Sequence, residues 1–276
     1  MTKLSLLLAI LVVTFYSFGQ EKTNISYGNN KEAGNYVRVN GISMYYETYG
    51  SGKPLIFLHG NGGSIRGASA KIEYFKNYFK VIAIDSRGHG KSIDTTTKTL
   101  TYTQMAYDTK VLLDSLHIDS AYISGQSDGG ILGLLIAINY PNKVSRLVTF
   151  GANLFPGKKA IVDELEDMVR DTLRMTKNPN TKRLFTLLEY QPHISDNDLH
   201  KIKCPVLIMT GDRDAIKLEH SLKIFYNIEN SNLFVMPGAT HFGSVQKPDL
   251  FNSIVLDFFT KPFSKLSTVD LMLRRQ

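Results

Sequence analysis

From residue 36 onward the chain alternates between short apolar runs and longer stretches whose apolar residues recur every three or four positions. Tyr36-Val37-Arg38-Val39, the dipeptide Asn40-Gly41 and the run Ile42 to Tyr49 predict a β-hairpin, because both turn residues tolerate positive φ. Apolar runs at Pro54 to Leu58, Lys80 to Ile84, Ala121 to Ser124, Val144 to Phe150, Val206 to Met209 and Leu233 to Met236 predict further strands. Their near-continuous apolarity is that of strands buried on both faces. Helical spacing occupies the gaps, from about Arg66 to Tyr78, Tyr102 to Leu116, Ile131 to Ile138, Leu218 to Ile228 and Pro248 to Phe259. Strands alternating with helices predict an α/β fold, a mostly parallel central sheet with helices on both faces. Right-handed crossovers gather the C-terminal ends of its strands on one edge.

One stretch breaks this rhythm. From Asn153 to Lys203, about fifty residues separate two strands, too many for an ordinary connection. Within it Ile161-Val162, Leu165, Met168-Val169, Leu173 and Met175 keep helical spacing, a second helix is expected over Thr181 to Tyr190, and Ser195 opens a third near Leu199. The expectation is a small helical lid, residues 153–203, above the sheet's C-terminal edge. Residues 36–152 and 204–276 would then form the core. The lid's Leu154, Phe155, Leu184, Phe185, Leu187 and Leu188 suggest an apolar pocket, with Tyr190 as a polar handle.

Composition adds limits. The chain has 276 residues, 43% of them hydrophobic, enough for one domain with a large core. Residues 1–19 stand apart: Lys3, an apolar run from Leu4 to Phe18, and small residues at Ser17 and Gly19 before Gln20. This is the anatomy of a signal peptide, too short for a comfortable membrane span, and it predicts export to the periplasm or medium with no stable span after cleavage. Residues 20–35 are polar and predict a flexible leader. The net charge of +7 is scattered, with no basic stripe interleaved with aromatics, so nucleic acid is not an expected partner. The lone Cys204 precedes Pro205 and an apolar strand, and is read as a small buried hydrophobe.

The candidate chemistry sits at the strand ends. Gly125-Gln126-Ser127-Asp128-Gly129 joins an apolar strand to an apolar helix, the context of a nucleophile elbow, in which a strained turn pushes the serine Oγ outward. The other strand ends carry His59-Gly60-Asn61-Gly62-Gly63, Asp85-Ser86-Arg87-Gly88-His89-Gly90-Lys91-Ser92, Thr210-Gly211-Asp212-Arg213-Asp214 and Pro237-Gly238-Ala239-Thr240-His241. Serine, aspartate and histidine thus occur in chain order. A phosphate loop at residues 85–92 is rejected, since it would need glycine where Asp85 stands. No cluster has metal-ligand spacing, so neither a metal nor a cofactor is proposed.

With these five motifs in order, the chain from about residue 36 to residue 260 resembles the α/β-hydrolase superfamily, in its lid-bearing serine esterase-like branch. The resemblance implies Ser127 as nucleophile, His241 as base and Asp214 as the acid that orients it, with Asp212 as competitor two residues earlier. It implies an oxyanion hole built from the backbone N–H groups of Asn61 and Asp128. The expected substrate is a small molecule, an ester that is apolar in character. Lactone, thioester, amide or carbon–carbon bond hydrolysis and peracid formation share the same groups, and a non-catalytic binding protein on this scaffold is the reading from another class. The Asp128 side chain is unusual beside a site that develops negative charge: it either points away or favours a cationic or hydroxylated substrate.

Overall fold

The computed structural model describes residues 25–273; the signal segment expected at residues 1–19 lies outside them. The chain opens with the expected hairpin, β1 (Gly34–Val39) and β2 (Ile42–Tyr49), turning through Asn40 and Gly41 at φ of 39° and 85°. The remaining strands are β3 (Pro54–Leu58), β4 (Lys80–Ile84), β5 (Ala121–Gln126), β6 (Val144–Phe150), β7 (Val206–Arg213) and β8 (Ser231–Thr240). All eight form one sheet in the order β1-β2-β4-β3-β5-β6-β7-β8. The β1–β2 and β2–β4 pairings are antiparallel and every later one is parallel.

The helices are α1 (Ser69–Phe75), α2 (Tyr102–Ser115), α3 (Asp128–Asn139), α4 (Asp163–Met175), α5 (Pro179–Tyr190), α6 (Asp196–Leu199), α7 (Leu218–Asn227), α8 (Gly243–Gln246), α9 (Pro248–Thr260) and α10 (Thr268–Leu273). They cover the sheet on both sides, which explains the unbroken apolar strands. Along β3, Ile56 and Leu58 face a core shared with Tyr102, Leu112, Ile131 and Ile224, while Leu55 and Phe57 face another shared with Ile72, Phe75, Phe251 and Phe259. The two-residue period of a strand sends successive side chains to opposite layers.

Several expectations are corrected. The leader expected over residues 20–35 is packed from Ile25 onward. Tyr27 is buried, and the N–H groups of Gly28 and Asn30 donate to the buried Glu47 carboxylate at 2.8 and 2.9 Å. Its polar composition concealed this because the acceptor lies on β2, remote in sequence. The helix expected from Arg66 to Tyr78 is a 3-10 turn, Ile65–Ala68, followed by the shorter α1. Strands β7 and β8 continue past their apolar runs, with a register shift between Gly211 and Arg213. The insert at residues 153–203 does hold three helices, and Ser195 caps α6 in a reciprocal capping box with Asp198. Its Leu154, Leu184 and Leu187, expected to line a pocket, are instead buried in the core, and Tyr190 is exposed. No helix among the described residues is long and apolar enough to cross a membrane.

Candidate active site

The site is assembled at the C-terminal edge of the parallel strands. Ser127 sits between β5 and α3 at φ 54°, ψ −118°, a left-handed conformation costly for a residue with a Cβ. Its N–H donates to the Phe150 carbonyl at 2.8 Å, and its own carbonyl accepts from Gly130 N at 2.8 Å, so both flanks hold the strained turn. The glycines around it are required by close approach. A Cβ on Gly125 would stand 2.1 Å from the Gly129 carbonyl oxygen, and one on Gly129 would stand 2.1 Å from that of Leu58. The loop after β3 lies directly against the serine: a Cβ on Gly60 would stand 3.0 Å from Ser127 Cβ.

His241 follows β8, and its Nδ1 lies 2.6 Å from Asp214 Oδ1. The Asp214 side chain is fully buried and saturated: Ile216 N donates to Oδ1 at 2.9 Å, and Thr210 Oγ1 and Gly211 N donate to Oδ2 at 3.1 and 3.3 Å. Burial pushes its carboxyl up, but His241 and these donors outweigh burial and leave it below the ordinary value. Asp212 does not reach the imidazole. It lies within β7, is exposed, and accepts from Ala239 N at 3.2 Å, a brace for the β8 turn. Gly151, at φ +64° after β6, leaves room for the pair: a Cβ there would stand 2.6 Å from His241 Cε1. Ser127 and His241 are brought to the same edge but are not hydrogen-bonded to each other.

Two residues missed in the sequence tie the histidine loop to the elbow. Gln126 donates through Nε2 to the His241 carbonyl at 2.8 Å, and its Oε1 accepts from Ser244 Oγ at 3.0 Å. Lys71 Nζ donates in turn to Ser244 at 3.4 Å, and burial lowers its pKa to about 8. Gln126 occupies a variable position of the motif, and Lys71 lies on a different layer, so spacing alone could not single them out.

Asn61 and Asp128 meet. The Asn61 Nδ2 donates to Asp128 Oδ2 at 3.0 Å and to the Leu184 carbonyl on α5 at 3.2 Å. Asp128 is buried, and burial pushes its carboxyl up to about 6 against the opposing pull of Asn61, Tyr102 and His241. The Tyr102 hydroxyl is close enough to feel this charge yet lies outside regular hydrogen-bond geometry and has no other partner. The Asp128 side chain is thus turned onto Asn61. Among the described residues, no hydrogen bond to another residue uses the N–H of Asn61 or of Asp128.

Two other histidines, His59 and His220, serve the scaffold. His59 Nε2 accepts from Ser86 N at 3.0 Å while its Nδ1 donates to the Gly60 carbonyl, and burial lowers its pKa to about 4. His220 Nε2 accepts from Leu154 N at 2.8 Å and anchors the start of the insert. The run from Asp85 to Ser92 is structural as well. Asp85 accepts from Ile65 N and Lys91 N at 2.8 Å each, and Arg87 is buried between Asp94 and Asp108. Cys204, expected to be buried, is half-buried against the core, and burial pushes its thiol up to about 12, which suits an inert residue.

Residues 53–161 match the family model described as the alpha/beta hydrolase fold. With the sheet order and the elbow geometry, this gives the chain the α/β-hydrolase fold. Among its relatives is the human serine hydrolase BPHL, 27% identical over 253 residues that cover 80% of this chain and 84% of that protein. Another is the 2-hydroxy-6-oxononadienedioate/2-hydroxy-6-oxononatrienedioate hydrolase of Paraburkholderia phymatum, 27% identical over 286 residues, covering 86% of this chain and 96% of that protein. The solved meta-cleavage product hydrolase CumD of Pseudomonas fluorescens IP01 superposes with a TM-score of 0.70 at 22% identity, covering 83% and 98% of the two chains, a likeness of fold.

Proposed function

We propose that the protein is a serine hydrolase that cleaves a small ester through an acyl-enzyme. The observation that carries this reading is the 2.6 Å contact between His241 Nδ1 and the buried Asp214, next to a serine strained at positive φ. In the proposed cycle Ser127 Oγ attacks the substrate carbonyl while His241 Nε2 takes its proton. Asp214 fixes the imidazole tautomer and stabilises the imidazolium. The oxyanion lies between the N–H groups of Asn61 and Asp128, the latter at the positive end of α3. His241 then protonates the departing alcohol, and a water repeats the sequence to release the acid. The serine–histidine hydrogen bond forms as substrate binds, since such contacts are often long before the complex assembles. The insert of residues 153–203 acts as the lid.

Hydrolysis of short p-nitrophenyl esters by the protein and by Ser127→Ala tests the reading. The variant is expected to lose activity by at least about 10³-fold; equal rates would overturn it. Carbon–carbon bond hydrolysis is the second reading, favoured by the named activity of the Paraburkholderia relative. A vinylogous diketone assayed beside the ester panel separates the two. We further propose, from Lys3 and the apolar run that follows, that the protein is exported and loses residues 1–19.

A further inference from the structure

We propose that Asp128 is a positioning residue for the oxyanion loop, acting through the side chain of Asn61. The inference rests on the hydrolase reading above and concerns how its two oxyanion donors are held in register.

The loop that carries Asn61 is poor in constraints of its own. Asn61 lies between Gly60 and Gly62, Gly62 is at φ +67°, and the turn is closed by one main-chain bond, Gly63 N to Gly60 O at 3.0 Å. Oxyanion stabilisation tolerates displacement of only about half an ångström. A glycine-flanked loop meets that demand only if something outside it fixes the position.

The Asn61 amide supplies the fixing point. It has two hydrogens, and each has an acceptor: Asp128 Oδ2 at 3.0 Å and the Leu184 carbonyl at 3.2 Å. Two acceptors facing one group also settle the orientation of the amide, since its oxygen would repel both. Neither acceptor is free to wander. Asp128 opens α3 directly after the strained serine. Leu184 lies within α5, which is itself fastened to the core: Asn180 Nδ2 donates to the Gly88 carbonyl at 2.8 Å, Arg183 to the Thr97 and Asp94 carbonyls, and Gln191 Nε2 to the Leu100 carbonyl at 3.2 Å. The elbow helix, the oxyanion loop and one helix of the insert therefore converge on a single amide. The same two residues whose N–H groups face the oxyanion are joined by their side chains. This also accounts for a carboxylate beside a site of developing negative charge: its Oδ2 is engaged by Asn61 rather than directed at the reacting atoms.

Steady-state kinetics on a neutral p-nitrophenyl ester test the assignment in Asp128→Ala, Asp128→Asn and Asn61→Ala, with a p-nitrophenyl phosphonate to count reactive Ser127. Asp128→Ala and Asn61→Ala are each expected to lower kcat by about 10–100-fold, part of the effect of losing one oxyanion donor, with KM within about threefold. Asp128→Asn still presents an acceptor oxygen to Asn61 and is expected to recover kcat to within about fivefold of the parent. The double alanine variant is expected to lose little more than either single one, because the two residues act as one unit. If Asp128→Ala fails to fold, the Asn61→Ala loss with unchanged KM carries the test. Parental kcat in both alanine variants overturns the assignment, as does an asparagine variant as impaired as alanine. A loss confined to esters bearing an ammonium or hydroxyl group overturns it in favour of direct substrate contact. Failure of the parent to react with the phosphonate overturns the hydrolase reading itself, and the assignment with it.

Discussion

Three carboxylates at the site end up in three different states. Asp214 is buried, yet four donors including His241 bring it below its ordinary value. Asp212, two residues earlier, reaches the backbone of the Gly238–Ala239 turn and not the imidazole. Under the proposed mechanism Asp214→Asn lowers kcat by about 10³–10⁴-fold while Asp212→Asn leaves it within a few-fold, measured on a p-nitrophenyl ester; the reverse order would reassign the acid. Asp128 is buried with one strong donor, and its carboxyl is pushed up to about 6. In the unfolded chain an aspartate titrates near 4. Below that value both states are protonated and the site contributes its full share of stability. As pH rises from about 4 to 6 the unfolded state releases its proton first, so stability is lost through that window. At pH 7.5 the loss amounts to about 2–3 kcal/mol. Asp128→Asn, which cannot ionise, is therefore expected to melt higher than the parent at pH 7.5, with the gap closing toward pH 4. A gap independent of pH would remove the carboxylate as its cause.

At the scale of elements, periodicity announced most of what forms. The apolar runs became strands because helices cover both faces of the sheet, and the Asn-Gly pair became the hairpin turn. The extensions of β7 and β8 were not legible. Thr210-Gly211-Asp212-Arg213 is polar and contains glycine, and it joins the sheet only because residues of β8 lie alongside to accept the pairing. The helices of the insert also divide in a way their sequences do not announce. α5 is fastened to the core by Asn180, Arg183, Gln191 and the buried Leu184 and Leu187. α4 buries only Glu166 and Val169, and its ion pairs run from Arg170 to Glu166 and to Glu189 on α5, from Arg174 to Asp171, and from Asp163 at its first turn to Lys158 and to Lys217. If the insert opens as a lid, α4 is the part that moves. Native-state hydrogen exchange is expected to be faster in residues 163–175 than in residues 179–190; equal protection would argue for a fixed roof.

For the molecule as a whole, the strap before β1 extends the domain. Glu47 is buried and accepts from Tyr45, Tyr49, Gly28 and Asn30, so residues 25–33 complete the hydrogen bonding of a carboxylate on β2. A chain beginning at Gly34 leaves that carboxylate short of two donors, and such a loss costs about 1–3 kcal/mol or more for a charged group. It is expected to melt below a chain beginning at Gln20 in thermal unfolding; equal midpoints would make the strap dispensable. The sequence by itself determined the alternation of strands and helices, the fold class, and the serine, histidine and paired aspartates as candidates. Those features are local: periodicity, turn chemistry and chain order are written in neighbouring residues. Only the tertiary structure decided which aspartate faces His241, that Gln126 and Lys71 brace its loop, that polar residues 25–33 are packed, and that Asp128 turns onto Asn61. Each of these depends on a partner between about 20 and 180 positions away, and loop geometry rather than residue type determines which distant groups meet.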